Sequence, residues 1–289
     1  MPIPMRFVLA SLLFLAASGA WAQDSVALRI SFLDVGQGDA VVIQAGGKTA
    51  LIDAGPADGD IIRQLRGLAV DTIDLVVASH AHADHIGGMA QVLATFVVRS
   101  YIDNGLPHTT ATYRTVMAAL RRSTARYATA SPATVTLGEV TLQLLPPPPH
   151  GDPTDQNNHS VGLLVRAGAF RALLTGDSEV DEIHYLLTLG LPVVNVLKAA
   201  HHGSRNGVTP AWLSALKPDV VVISLGRDNR YGHPHPWAMR YYNAMAPAIY
   251  RTDLHGTVTI ALFRDGHFTV STTRPAGAAD PGPKGRADR

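Results

Sequence analysis

The chain of 289 residues contains no cysteine. That absence excludes disulfide frameworks, thiolate zinc sites, iron–sulfur clusters and cysteine nucleophiles together, so any metal must be held by nitrogen and oxygen. Charge is sparse as well: Asp, Glu, Lys and Arg make up 16% of the residues, against about 25% in an average soluble protein. With 46% apolar residues the chain has the means to build a core, which excludes disorder over its whole length. After the first 22 residues no stretch stays apolar long enough to cross a bilayer as a helix. No glycine-rich stretch is followed by Gly-Lys-Ser/Thr, and Gly-x-Ser-x-Gly does not occur, so neither a Walker loop nor a serine-hydrolase elbow is present. What is plentiful is histidine, thirteen in all. Abundant imidazole without thiol suits borderline divalent cations.

Residues 1–22 carry one positive charge at Arg6, an apolar stretch from Phe7 to Ala17, and Ala20-Trp21-Ala22 before Gln23. This is the order of a secretory signal peptide cleaved after Ala22, and the apolar run falls short of the ~18–20 residues a spanning helix needs. The expectation is a periplasmic or secreted protein with no transmembrane segment in the mature chain. Without Arg6 the basic and acidic residues balance, and residues 23–273 are slightly acidic. The body is therefore no general polyanion binder. One local exception is the acid-free stretch between Asp103 and Glu139, where Arg114, Arg121, Arg122 and Arg126 fall on an expected helix, Ala111–Tyr127. A solvated helix face explains such a set, and so does a phosphate-binding one. Residues 274–289, rich in Pro, Gly and Ala, read as a disordered tail.

Between these ends, short apolar or alternating runs at Val26–Leu33, Ala40–Ala45 and Thr49–Asp53 predict an opening antiparallel meander. Helix-like pieces (Asp58–Leu68, Gly88–Phe96, Ser178–Leu189, Thr209–Leu216, Pro236–Met245) then alternate with Val-, Leu- and Ile-rich strand candidates, of which Leu75–Ser79 is the first. Such alternation asks for an α/β fold with helices outside the sheets and functional residues emerging at strand ends. Pro146–Pro153 reads as a loop between two halves of one domain, residues 23–273.

Leu75–Ser79 runs directly into His80-Ala81-His82-Ala83-Asp84-His85-Ile86-Gly87-Gly88. Imidazoles two residues apart can converge on one cation from a turn, while Asp84 and His85 project toward a second position nearby. Four potential ligands within six residues at a strand end is a specific signal.

At these residues the sequence resembles the metallo-β-lactamase superfamily. The upstream Leu51-Ile52-Asp53-Ala54-Gly55 and downstream Leu174-Thr175-Gly176-Asp177 and Ala200-His201-His202-Gly203-Ser204 stand in that superfamily's order. More narrowly, Phe32–Ala40 (FLDVGQGDA), Asn157–Ser160 (NNHS), Leu197-Lys198 and Tyr231-Gly232-His233-Pro234 resemble the hydrolase domain of the competence protein ComEC and its relatives. The resemblance implies a four-layer αβ/βα sandwich and two divalent ions, zinc ahead of manganese. It implies that His80 and His82 hold the first ion, that Asp84, His85 and His202 hold the second, and that Asp177 bridges them. His159 is the candidate third ligand of the first position. Asn157, Ser160, Lys198 and Ser204 are candidates to meet substrate, Asp53 to orient a ligand histidine, and His201 to stand behind His202. Asp34 and Asp39 are expected to shape the first turn, and His108, which joins no motif, to be structural.

Two cations sharing one water make it nucleophilic at neutral pH and neutralise the charge that develops on a phosphoryl or carbonyl oxygen. Asp84 stands at that centre, and His233 is the candidate to protonate a leaving oxygen. The expected function is an exported phosphodiesterase or nuclease acting on DNA or nucleotides, without an obligate protein partner. The alternatives are a lactone, ester or β-lactam hydrolase on the same core, since substrate choice resides in loops, and a non-catalytic DNA-binding module.

Overall fold

The computed structural model describes residues 25–275. The expected signal peptide and the tail from residue 276 onward lie outside the described residues. Among the described residues two large sheets stack face to face. The first has eight strands in the order Phe268–Thr272, Val258–Phe263, Val26–Phe32, Val41–Ala45, Lys48–Ile52, Leu75–Val77, Ser100–Asp103 and Arg126–Thr129. The second has seven, in the order Ala248–Arg251, Val220–Ile223, Val196–Lys198, Phe170–Leu174, Gly162–Ala167, Val140–Leu145 and Ala133–Leu137. The opening meander is antiparallel as expected, Val26–Phe32 pairing with Val41–Ala45 and that strand with Lys48–Ile52.

Side-chain alternation decides which layer each residue joins. Val41 and Ile43 point into the space between the sheets with Leu142, Leu163 and Val222, while Val42 points outward. In the second sheet Val220 and Val222 face inward, and Val221 and Ile223 face outward. Each sheet is thus apolar on both faces and needs helices on its outer side. Helices Ile61–Gly67, Met89–Thr95 and Ala111–Arg122 cover Val42, Leu51 and Val76 of the first sheet. Val180–Thr188, Pro210–Leu216 and Pro236–Met245 cover Leu164, Leu173, Leu197 and Val221 of the second. The result is the expected four-layer sandwich, in which each fully buried Leu, Ile or Val contributes ~1.5–3 kcal/mol relative to exposure.

One expected element is corrected. The helix drawn over Ala111–Tyr127 ends at Arg122, where Ser123 turns to extended backbone, its Oγ donating to the Leu120 carbonyl at 2.8 Å and accepting from the Ala125 amide at 3.2 Å. Arg126–Thr129 then forms an edge strand parallel to Ser100–Asp103, pinned by the Tyr127 hydroxyl donating to Asp103 at 3.0 Å. Arg114, Arg121 and Arg122 therefore share a helix, and Arg126 does not.

The central strands of each sheet run parallel to one another: Lys48–Ile52, Leu75–Val77 and Ser100–Asp103 in the first, Phe170–Leu174, Val196–Lys198 and Val220–Ile223 in the second. Their C-terminal ends open on one edge of the sandwich, where the loops carrying Asp53, His80–His85, Asp177 and His202 meet. Close approach of these loops depends on glycine. A Cβ on Gly38 would fall 2.1 Å from the Asp84 carbonyl oxygen, and one on Gly176 would fall 2.8 Å from Ser79 Cβ.

Candidate metal centre

His80 and His82 leave the end of Leu75–Val77 with ring nitrogens facing each other, His80 Nε2 lying 3.0 Å from His82 Nδ1. One turn later Asp84 and His85 lie on the short helix Ala83–Ile86. The Gly176-Asp177 turn brings Asp177 Oδ2 to 3.2 Å from His85 Nε2 and 3.4 Å from His202 Nε2. His202 Nε2 is also 3.4 Å from Asp84 Oδ2. Ligand atoms of Asp84, His85, Asp177 and His202 all lie within 4.8 Å of one another. His201 and His202 reach this edge through left-handed backbone, with φ of 48° and 54°. Such residues cost of order 1–3 kcal/mol each and persist where the surroundings over-determine them. Only one of the pair faces the cluster closely. His201 Nε2 stays 3.8 Å from Asp177, and its Nδ1 lies 3.1 Å from Glu179 Oε1.

The imidazoles are held from behind. Asp53 Oδ2 accepts from His85 Nδ1 at 2.8 Å, and the same carboxylate accepts from the Ser79 amide and hydroxyl, both at 2.7 Å. His202 Nδ1 donates to the Ser224 carbonyl at 2.9 Å. Each ring thereby has its outer nitrogen fixed and its Nε2 turned to the cluster, an arrangement that sets tautomer and orientation for ligation. His85 Nε2, His202 Nε2 and Asp177 Oδ1 are buried and lack a hydrogen-bond partner. Buried polar atoms left unmade are costly, and a divalent ion among them would satisfy all three. A donor set of imidazole nitrogen and carboxylate oxygen suits zinc or manganese.

Electrostatics follow from burial and proximity. Burial opposes charge on His85, but Asp177 and Asp53 outweigh it and hold its pKa well above the ordinary imidazole value. The same holds for His202, where Asp177 and Asp39 prevail. Burial would raise Asp177, yet His202 and His85 keep it well below the carboxylate range. His80 is pushed well down by burial and by His85.

A cavity of about 360 Å³ opens over the cluster, lined by Gln37, His82, Ala83, Asp84, His108, Thr110, Asn157, Asp177, His201, His202, Tyr231 and His233. Of the residues expected to meet substrate, Asn157 lines it and three others do not. Lys198 is 1% exposed, pairs with Asp39, and donates to the Gly176 carbonyl at 3.0 Å. Its ammonium braces the turn below the cluster. Ser160 is fully buried; its Oγ donates to the Asn157 carbonyl at 2.9 Å and accepts from the Asp177 amide at 3.1 Å. Ser204 Oγ is taken by Asn206 at 2.6 Å. His159 turns its Nδ1 to the Asp155 carbonyl at 2.8 Å and is absent from the lining.

His233 lines the cavity beside His201 and His202, ring centroids 5.6 and 6.3 Å away. Burial and those two neighbours lower its pKa to about 4. An imidazole held there is neutral at pH 7, so toward a leaving oxygen it would offer an N–H hydrogen bond. Two residues carry more here than their sequence context suggested. Asp39 is a buried carboxylate 3.4 Å from His202 Nδ1 and paired with Lys198, and His108 lies in the lining with its ring 5.8 Å from His82. Only Asp39 sits in a motif that marks it; nothing in sequence marks His108.

A family model described as the metallo-beta-lactamase superfamily matches residues 33–227. Among curated proteins, "Recombination protein 2" of Haemophilus influenzae is 31% identical over 82% of this chain and 29% of its own length. "ComE operon protein 3" of Bacillus subtilis is 26% identical over 80% of this chain and 32% of its own. The chain spans about a third of the length of these relatives. Among solved structures, the metallo-beta-lactamase fold protein YhfI from Bacillus subtilis aligns with a TM-score of 0.52 at 12% identity, covering 85% of this chain and 100% of that one. With strand-end histidines, the Gly-Asp turn and both sheets in place, the chain belongs to the metallo-beta-lactamase superfamily and carries its hydrolase fold.

Proposed function

We propose that the protein is a metal-dependent phosphodiesterase acting on DNA or nucleotides. The observation that carries this reading is similarity over four-fifths of the chain to Recombination protein 2 and ComE operon protein 3, in a chain whose cavity is floored by imidazoles and carboxylates. Zinc or manganese bound there would lower the pKa of a water and neutralise charge on the attacked phosphoryl oxygen. His80, His82, Asp84, His85, Asp177 and His202 are the residues assigned to hold the ions. Asp53 keeps His85 in the ligating tautomer, and the Asp39–Lys198 pair keeps the Asp177 turn and His202 in register. His233, neutral at pH 7, offers an N–H hydrogen bond to the leaving oxygen rather than a full proton. Gln37, Thr110 and Tyr231 line the walls and are assigned to bind substrate.

The Ala20-Trp21-Ala22 pattern supports export from the cytoplasm, and on this reading the mature N-terminus found by mass spectrometry of an extracytoplasmic fraction should be Gln23. The function is tested with purified protein and added zinc or manganese against bis-p-nitrophenyl phosphate, single-stranded DNA, an acyl-homoserine lactone and nitrocefin. Turnover of the first two is expected. Turnover of only the last two ends the phosphodiester reading, and DNA retention without any turnover replaces it with a binding module.

A further inference from the structure

The first metal position lacks a third partner of the usual kind. His80 and His82 point ring nitrogens at each other 3.0 Å apart, yet the groups of three or more mutually close imidazoles and carboxylates among the described residues include neither histidine. The sequence candidate for that place, His159, does not line the cavity that His82 faces. Its Nδ1 is bonded to the Asp155 carbonyl at 2.8 Å. Two residues earlier in the same turn, Asn157 does line the cavity with His82. Its amide is oriented unambiguously, because Nδ2 donates to Glu179 Oε1 at 2.9 Å. The free end is therefore Oδ1, which is buried and has no hydrogen-bond partner. An acceptor buried without a donor is expensive, and a cation held at His82, in the cavity that both residues line, would supply what it lacks.

We propose that the amide oxygen of Asn157, not His159, completes the first metal position. The inference rests on the metal-dependent reading of the site. A position whose own ligands are two neutral imidazoles and a neutral amide oxygen beside the shared Asp177 holds a divalent ion less firmly than one that adds Asp84, His85 and His202. Its oxygen also moves its preference toward harder ions such as manganese. The two positions are thus unequal, the second filling first.

The test is a titration of stripped protein with Zn²⁺ and with Mn²⁺ in competition with a chromophoric chelator, with elemental analysis of what is retained. The parent should take up one tight equivalent and one weaker. Asn157→Leu should keep the tight equivalent and weaken the other by at least about tenfold, while Asn157→Asp should retain and tighten it. His159→Ala should bind both ions as the parent does. Melting curves in chelator should match the parent for each variant, which separates ligand loss from misfolding. Parent-like uptake of both ions by Asn157→Leu, or loss of the weaker ion in His159→Ala, overturns the assignment. Absence of even the tight equivalent from the parent overturns it together with the metal-dependent reading, whereas failure of the assignment alone leaves that tight equivalent in place.

Discussion

Asp53 shows how one carboxylate acts on an ion it does not touch. Its Oδ2 holds His85 Nδ1 at 2.8 Å, so Asp53→Asn keeps the shape and removes the charge that stabilises the ligating tautomer. Loss of such an outer partner costs about 10–100-fold in metal affinity, and the chelator titration of the variant should return a figure in that range. Protons and cations compete for the same nitrogens. Because nearby carboxylates hold His85 and His202 well above the ordinary imidazole pKa, ion uptake should release protons and affinity should climb as pH rises through neutrality. Calorimetry in buffers of different ionisation enthalpy reads that release directly; uptake without it would contradict the assignment of these two ligands. At this scale the sequence was most informative where ligands are close in the chain. His80 to His85 is legible because strand, turn and spacing lie within a dozen residues. The Asp39–Lys198 pair joins residues more than 150 positions apart, and only the docking of two sheets makes them neighbours.

Among the elements, helix Val180–Thr188 carries a buried group with a measurable signature. Glu182 accepts from the Ser160 amide at 3.2 Å, while its own amide donates to Asn158 Oδ1 at 3.1 Å. This clasps the Asn157–Ser160 turn to the helix. Burial pushes the Glu182 carboxyl up to about 8. The folded state therefore binds this proton more tightly than the unfolded one. Its stabilising effect is complete below the unfolded pKa near 4.5 and fades as pH rises toward 8. Glu182→Gln should remove that decline, making the variant more stable than the parent at pH 8 by up to ~4 kcal/mol, relative to their difference at pH 4. Urea denaturation at the two pH values checks this. Helix Ala111–Arg122 carries the arginines that a phosphate backbone could meet. If Arg121 and Arg122 track a nucleic-acid backbone, replacing both with Ala should lower the salt dependence of oligonucleotide binding, reducing the log–log slope by about 1–2. An unchanged slope returns that helix face to solvent.

Most elements could be read from apolar periodicity. Pro236–Met245 coincides with the expected bounds, and the other helices expected from the sequence moved at their ends by a few residues. The failures share a physical cause. Arg126–Thr129 is exposed along its length, and Ala133–Leu137 buries fully only its last residue, Leu137. Edge strands of this kind bury too little for alternation to leave a trace, and their pairing is decided by the neighbour strand rather than by their own composition.

For the whole molecule, chain order and spatial order are interleaved. Val258–Phe263 crosses back to pair with Val26–Phe32, so the first sheet is finished only after the second has been made. The proposed ligands are divided in the same way, His80 to His85 coming from loops of the first sheet and Asp177 and His202 from loops of the second. An ion held at their junction would act as a rivet between two halves that the chain cannot bring together early. Binding would therefore come late in folding and would stabilise the docked state selectively, by ~4 kcal/mol when free ion exceeds its dissociation constant a thousandfold. Adding EDTA to loaded protein should lower Tm by several degrees, and a Tm indifferent to chelation would mean that the seam holds without the rivet. In a compartment where metal supply fluctuates, the availability of that ion would then set how long each molecule survives as well as how fast it works.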